Sequence, residues 1–179
     1  MKAIKSLYAY TDKILHHTLT PLLPLLARLV FAATLLPFFI NSAWTKIGSS
    51  PFSPSIGAYA QILPQKAATL NYNPASFSWL DWLIVMAGTY GEIILPALIV
   101  IGLMTRLAAL GMTGFIFVMT FVDINGHNVM AGMFFDRHVN SVIDQRVFWV
   151  FLLIVIAGCG AGRFSCDHLL CRKTPSGQS

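Results

Sequence analysis

Four apolar stretches, each close to the length needed to cross a lipid bilayer, dominate this chain of 179 residues. They are Leu22–Trp44, Trp79–Leu103, Leu107–Ile124 and Val147–Gly162. The hydrocarbon core of a bilayer is about 30 Å thick, and a helix crosses it with about 20 residues. Hydrophobic residues make up 56% of the chain and charged residues only 11%, too little charge to cover the surface of a small soluble domain. The sequence therefore predicts an integral membrane protein.

The four stretches are predicted to be helices. Backbone polar groups inside lipid must be satisfied within the protein, and no stretch alternates as a transmembrane strand does. We therefore expect an all-α fold, an antiparallel four-helix bundle that forms a single domain over residues 1–179. Residues 45–78 form an outer loop with four prolines. A short interfacial helix is predicted within it, at Ile56–Leu63.

The distribution of Lys and Arg predicts the orientation, because cytoplasmic flanks carry an excess of basic residues. One side of the predicted bundle holds most of them: Lys2, Lys5, Lys13, Arg106, Arg163, Arg172 and Lys173. The longer first outer loop holds only Lys46 and Lys66. Both termini are thus predicted to be cytoplasmic. The net charge of +5 reflects this bias, and we predict no nucleic-acid partner.

Two charged residues lie well inside predicted spans, away from the span ends, and are the strongest functional candidates. Glu92 lies near the middle of the second span and shares a face with Gly88 and Pro96. A carboxyl group at this depth is expected to be protonated or paired with a cation. Arg28, in the inner part of the first span, is the predicted partner. Such a pair could bind a ligand, or it could only fix the helices against each other.

The third span carries a second polar stripe, in which Arg106, Thr113, Thr120 and His127 are spaced seven residues apart. The threonines are predicted to bond to carbonyls of their own helix. Arg106 is interpreted as a cytoplasmic anchor, since it lies where the positive-inside rule expects a basic residue. His127, at the outer end, is a candidate hydrogen-bond donor to a ligand.

The loop after the third span contains residues that can ligate metals. His127, Met130, Met133 and His138 are soft or borderline ligands. Their spacing matches no closed metal motif, and methionine beside a membrane often packs at the interface. We predict no metal site and keep these four residues as weak candidates. The three cysteines form no C-x-x-C motif.

Three segments resemble the DoxX family of small bacterial membrane proteins. The stretch from Ala27-Arg28-Leu29 to Ala43-Trp44-Thr45-Lys46 resembles the family's first helix. Glu92-Ile93-Ile94-Leu95-Pro96, followed by Gly102-Leu103-Met104-Thr105-Arg106-Leu107-Ala108-Ala109, resembles its most typical segment. Gly162-Arg163-Phe164-Ser165-Cys166-Asp167 resembles its characteristic ending.

The resemblance implies a four-helix protein of the bacterial inner membrane. Some family members are similar to a subunit of a thiosulfate:quinone oxidoreductase, and others are linked to membrane redox and thiol-stress complexes. The resemblance thus suggests a membrane subunit associated with quinone or with thiol and sulfur redox chemistry, working with a protein partner or as a homodimer. No covalent cofactor is expected, because the chain has no flavin, haem or iron–sulfur signature.

Three functions remain open. In the first, a quinone binds between helices, with Glu92 exchanging a proton and Arg28 or His127 donating a hydrogen bond. In the second, the protein is a non-catalytic assembly or scaffold subunit in which an Arg–Glu pair fixes helix register. In the third, a small transporter or metal-handling protein uses the outer His and Met loop.

Overall fold

The computed structural model describes residues 2–129 and 142–171, and nearly all of its regular structure is helical. The helices are α1 (Lys2–Lys46), α2 (Ile56–Ile62), α3 (Pro64–Thr69), α4 (Trp79–Ile101), α5 (Thr105–Gly126), α6 (Val142–Cys159) and α7 (Cys166–Cys171). Between α1 and α2 lies a small hairpin of β1 (Ile47–Ser50) and β2 (Ser53–Pro54), and a single 3₁₀ turn, Pro74–Ser76, precedes α4. The predicted all-α class is confirmed.

Three of the described helices are long and apolar enough to cross a membrane: the Leu19–Lys46 part of α1, α4 and α5. The fourth predicted span corresponds to α6, whose apolar part, Gln145–Cys159, is shorter. Many large apolar side chains on these helices face outward, among them Phe117, Phe121 and Phe148. Exposed apolar surface of this extent is typical of a protein whose surroundings are lipid.

The helix boundaries differ from the predicted spans where local sequence decides them. The first helix was predicted from Leu22 but begins at Lys2, since residues 2–19 contain neither glycine nor proline to end it. Helix α4 ends slightly earlier than predicted. Gly102, with a φ of 77°, caps its C-terminus one residue before Leu103, where the predicted span ends. Gly160 and Gly162, both with positive φ, follow α6.

The four long helices pack in a closed ring. Helix α1 lies against α4 and α6, and α5 also lies against α4 and α6. The contacts run antiparallel: on α1 and α4, Arg28 meets Ile99 whereas Lys46 meets Glu92. The interior between the helices is filled by fully buried side chains such as Phe31, Phe39 and Met112.

The two ends of this ring are different, and we name them for what they carry. The loop end holds residues 47–78, and the tail end holds the α4–α5 turn and residues 160–171. At the loop end the short helix predicted at Ile56–Leu63 is observed as α2, begun by the Ser55 side chain. Helix α2 lies close over α4, since a Cβ added to Gly88 would be 2.9 Å from Ile62 Cδ1.

Candidate functional site: buried charges at both ends of the helix ring

Glu92 and Lys46 form a buried ion pair toward the loop end. Lys46 Nζ lies 2.9 Å from Glu92 Oε1 and 2.7 Å from Oε2. The same ammonium donates to Ser42 Oγ, one turn back on α1, at 2.6 Å. Both charged side chains are 4% exposed. A single lysine therefore holds both oxygens of the carboxylate, and its three N–H groups are all used.

The predicted interaction of Arg28 with Glu92 is wrong. Arg28 bonds to the carbonyl of Ile99 on α4, which lies two helical turns, about 10 Å, from Glu92. Lys46 is 18 residues beyond Arg28 on the same face of α1, and its long side chain turns inward to reach Glu92. The carboxyl group thus has a cation partner, one of the two states expected for it, but the cation is Lys46, the last residue of α1, and not Arg28.

Arg28 instead satisfies backbone carbonyls at the tail end. Its Nε donates to Ile99 O at 3.0 Å and its Nη2 to Val100 O. Its Nη1 donates to Ala161 O at 2.9 Å and to Phe164 O at 2.7 Å. Carbonyls in the last turn of a helix have no partner within that helix. Arg28, which is only 7% exposed, supplies that partner and ties α1 to the end of α4 and to the segment after α6.

Asp167, in the segment after α6, also bonds to the backbone at the tail end, but as an acceptor. Its carboxylate accepts hydrogen bonds from the backbone N–H of Met104 (2.7 Å) and of Thr105 (3.0 Å), and from Thr105 Oγ1. It therefore caps the start of α5, whose own N-cap residue, Met104, gives no side-chain bond. The Asp167 N–H donates in turn to Gly102 O.

The pKa of the Asp167 carboxyl group reflects these contacts. Partial burial alone would raise this pKa, because it disfavours the charged form. The hydrogen bonds from Thr105 and Met104, together with the positive charge of Arg28, outweigh burial and hold the pKa below its ordinary value. Asp167 is thus stabilised as a carboxylate at neutral pH.

Two further ion pairs lie toward the loop end. Lys66 Nζ on α3 is 2.7 Å from Asp81 Oδ1 on α4, and the other Asp81 oxygen accepts from Ser78 in a capping box that begins α4. Arg146 on α6 bonds to Asp123 and to Thr120 Oγ1 on α5. Each pair joins one helix of the ring to a neighbouring element.

The third candidate, His127, lies apart from the other two. It is exposed just after α5, and its Nε2 is 3.0 Å from the Gln61 carbonyl. The three predicted ligand-binding residues Arg28, Glu92 and His127 therefore occupy three separate places. Thr113 and Thr120 donate to the carbonyls of Ala109 and Ile116, as predicted for helix-bonded threonines.

The metal candidates are only partly covered by the structure, because Met130, Met133 and His138 lie outside the described residues. Among the residues that are described, no group of three or more His, Cys, Asp and Glu side chains is placed to hold a metal ion. His127, the described member of the candidate set, is engaged with Gln61 as given above.

A sequence model of one family, DoxX, matches residues 23–123. The match runs from within α1 to the last turn of α5 and spans more than half of the chain. This chain belongs to the DoxX family. No curated protein and no solved structure gave a significant match. The ending that also resembles the family, Gly162–Asp167, lies beyond the matched range and packs against it through Arg28 and Asp167.

Proposed function

We propose that this DoxX-family protein is a non-autonomous subunit of a complex in the bacterial inner membrane, with four membrane-crossing helices. Helix α6, the shortest of the four, has 18 residues and spans about 27 Å at 1.5 Å per residue. It packs against both α1 and α5, so it lies at the same depth as two candidate spans.

We also propose that both termini are cytoplasmic. Among the residues that the structure describes, the basic side chains toward the loop end are Lys46, Lys66 and Arg146, and each is paired with a carboxylate. At the tail end Arg106 and Arg163 are exposed and have no such partner among the described residues. The exposed, unpaired arginines therefore lie at the tail end, and the positive-inside rule, which counts Lys and Arg and not net charge, places the side richer in these residues in the cytoplasm.

Within this complex, the role best supported by the geometry is that of a scaffold rather than a catalytic subunit. The observation that carries this proposal is the state of the buried charges. Of the Asp, Glu, Lys and Arg side chains described, four are buried, Arg28, Lys46, Asp81 and Glu92, and each is bonded to another group of the chain. Their contacts join α1, α3, α4 and the segment after α6, which is what a rigid framework requires.

A quinone-linked role is the second candidate, and the Lys46–Glu92 pair is the observation that favours it. A carboxylate and an ammonium held at membrane depth can exchange a proton with a lipid-soluble carrier once their mutual contact opens. Arg28 is less suited to this role, because its donors are occupied by four carbonyls. The electrons would come from a protein partner, since this chain has no redox cofactor motif.

The double variant Lys46→Met with Glu92→Leu separates the two roles. It removes both charges together, so no uncompensated ion stays buried. For a scaffold, the variant should assemble with its partner and support quinone reduction by the reconstituted complex at the wild-type rate. For a proton-exchanging subunit, the variant should assemble normally but lose quinone reduction. The matched control is Lys66→Met with Asp81→Leu, which removes a second ion pair that is not assigned a proton-exchanging role.

A further inference from the structure

An open cleft of about 500 Å³ lies at the tail end, where α5 begins and α6 ends. Its walls come from the first residues of α5, the segment after α6, and α7. The proposal rests on the lining residues Met104, Arg106, Leu107 and Asp167; Cys159 and His168 also line the cleft. Helix α5 is a candidate span that starts at Thr105, so a membrane-crossing α5, as proposed above, would place the cleft where lipid headgroups meet the hydrocarbon core.

Arg106 supplies the positive charge of this cleft. Its side chain is exposed, and it forms no hydrogen bond or ion pair within the part of the chain that the structure describes. The guanidinium lies over Gly160, where an added Cβ would be 3.1 Å from Arg106 Nε. The missing side chain at position 160 leaves room for Arg106 beside the cleft, and its N–H groups are free to bind an anion.

The rest of the wall is mainly apolar. Met104 and Leu107 are 58% and 61% exposed, and Leu110, about one turn further along α5, is exposed as well. The negative group in the lining, the Asp167 carboxylate, is already bound by two backbone N–H groups and the Thr105 hydroxyl. A fitting ligand therefore carries an anionic head and an apolar body.

We propose that this cleft binds the phosphate headgroup of an anionic phospholipid, with Arg106 on the phosphate and the first acyl carbons along Met104 and Leu107. A basic cleft between helix ends at the membrane surface suits such a headgroup. A soluble anion would gain the contact with Arg106 but nothing from the apolar wall. The lipid source is thus favoured over free phosphate.

Native mass spectrometry of the detergent-purified, delipidated protein tests this proposal. Phosphatidylglycerol and phosphatidylcholine with identical acyl chains are titrated in parallel. The wild type should prefer phosphatidylglycerol, and Arg106→Gln should lower that preference by about fivefold, the effect of one basic residue near an anionic surface. Arg106→Lys keeps the charge and should retain most of the preference.

The matched control is Arg163→Gln. Arg163 is exposed at the same end of the molecule but does not line the cleft, so its loss should leave the lipid preference nearly unchanged. Equal losses for the two glutamine variants would overturn the proposal, because they would indicate diffuse charge attraction. Unchanged binding in a folded Arg106→Gln protein, verified by its thermal unfolding, would overturn it as well.

Competition with glycerol 1-phosphate distinguishes a lipid from a soluble anion. The headgroup alone lacks acyl chains, so it should fail to displace phosphatidylglycerol at equal concentration. Displacement at equal concentration would refute the assignment to a lipid and identify the cleft as a site for small phosphates.

Discussion

The two ends of the helix ring stabilise their charged side chains in different ways. At the loop end, side chains pair with side chains, as Lys46 does with Glu92 and Lys66 with Asp81. At the tail end, Arg28 and Asp167 bond almost entirely to the backbone, Arg28 to carbonyls and Asp167 to N–H groups. A side-chain pair can be removed as a unit. A backbone carbonyl or N–H group cannot be removed by substitution. The loss of Arg28 or Asp167 at the tail end therefore cannot be compensated by a second mutation that removes its partner.

The largest expected effect is that of Arg28→Ala. It leaves four carbonyls without their donor, and each buried group that loses its partner costs about 1–3 kcal/mol. We expect the free energy of unfolding to fall by about 4 kcal/mol or more, measured by denaturant unfolding in detergent.

Arg28→Lys is the informative companion variant. A lysine keeps the charge, but its ammonium is a compact point charge that lacks the planar fork of arginine. It cannot reach Ile99 and Phe164 at once, so we expect it to recover less than half of the loss. If Arg28→Lys unfolds with the wild-type free energy, the positive charge at position 28 stabilises the tail end, and the geometry of its bonds to the four carbonyls does not.

Substitutions of the Lys46–Glu92 pair, unlike those of Arg28, should compensate each other. Glu92→Leu alone leaves a buried ammonium and should lower the free energy of unfolding by about 3 kcal/mol. Lys46→Met alone leaves a buried carboxylate and should cost a similar amount. Together, Lys46→Met and Glu92→Leu should restore most of the stability, because no buried charge remains. A double variant whose loss equals the sum of the two single losses would contradict the comparison.

A third and smaller effect is expected at the glycine that ends α4. Gly102 has a φ of 77°, and a Cβ there would lie 2.7 Å from Ser165 Cβ and 2.8 Å from Arg28 Nη2. Gly102→Ala should therefore destabilise the protein by about 2 kcal/mol, from backbone strain and displacement of Arg28. Gly114→Ala, in the interior of α5 with nothing within 4 Å, is the control and should leave the melting temperature unchanged or raise it.

The sequence predicted the helices well because lipid leaves few alternatives for an apolar stretch of bilayer length. The ends were less predictable, since they depend on capping contacts with distant residues. Gly102 was visible within the segment that resembles the DoxX family, but the capping of α5 by Asp167 joins residues more than 60 positions apart. No local pattern identifies such a contact.

The candidate site was predicted in part. Glu92 was expected to be protonated or paired with a cation, since burial of an unpaired carboxylate is costly, and the structure shows the paired arrangement. Its partner was misassigned because helical spacing indicates which face a residue shares but not how far a lysine side chain reaches along it. Lys46 was visible just beyond the end of the first predicted span, but the sequence does not show that its side chain reaches back to Glu92.

The smallest effect, and the one that best separates the two ends, concerns Asp167 and pH. The folded-state pKa of this carboxyl group lies below the ordinary value of 3.8. Its contribution to stability is therefore complete above that value and is lost as the pH falls through the folded pKa. Asp167→Asn cannot accept hydrogen bonds at both oxygens, so we expect it to cost about 1 kcal/mol at neutral pH.

The pH dependence of this difference is the decisive measurement. Other carboxylates also titrate in acid, so wild type and Asp167→Asn are compared at each pH by thermal unfolding in detergent. Their melting temperatures should differ by a constant amount at pH values well above 3.8 and converge as the pH falls below 3.8 and through the lowered folded-state pKa of Asp167. The control Asp12→Asn changes an exposed carboxylate on α1 and should follow the wild type throughout. A gap between wild type and Asp167→Asn that persists in acid would show that Asp167 stabilises the tail end by its shape and not by its charge, and the contrast between backbone-bonded and paired charges would then fail at this residue.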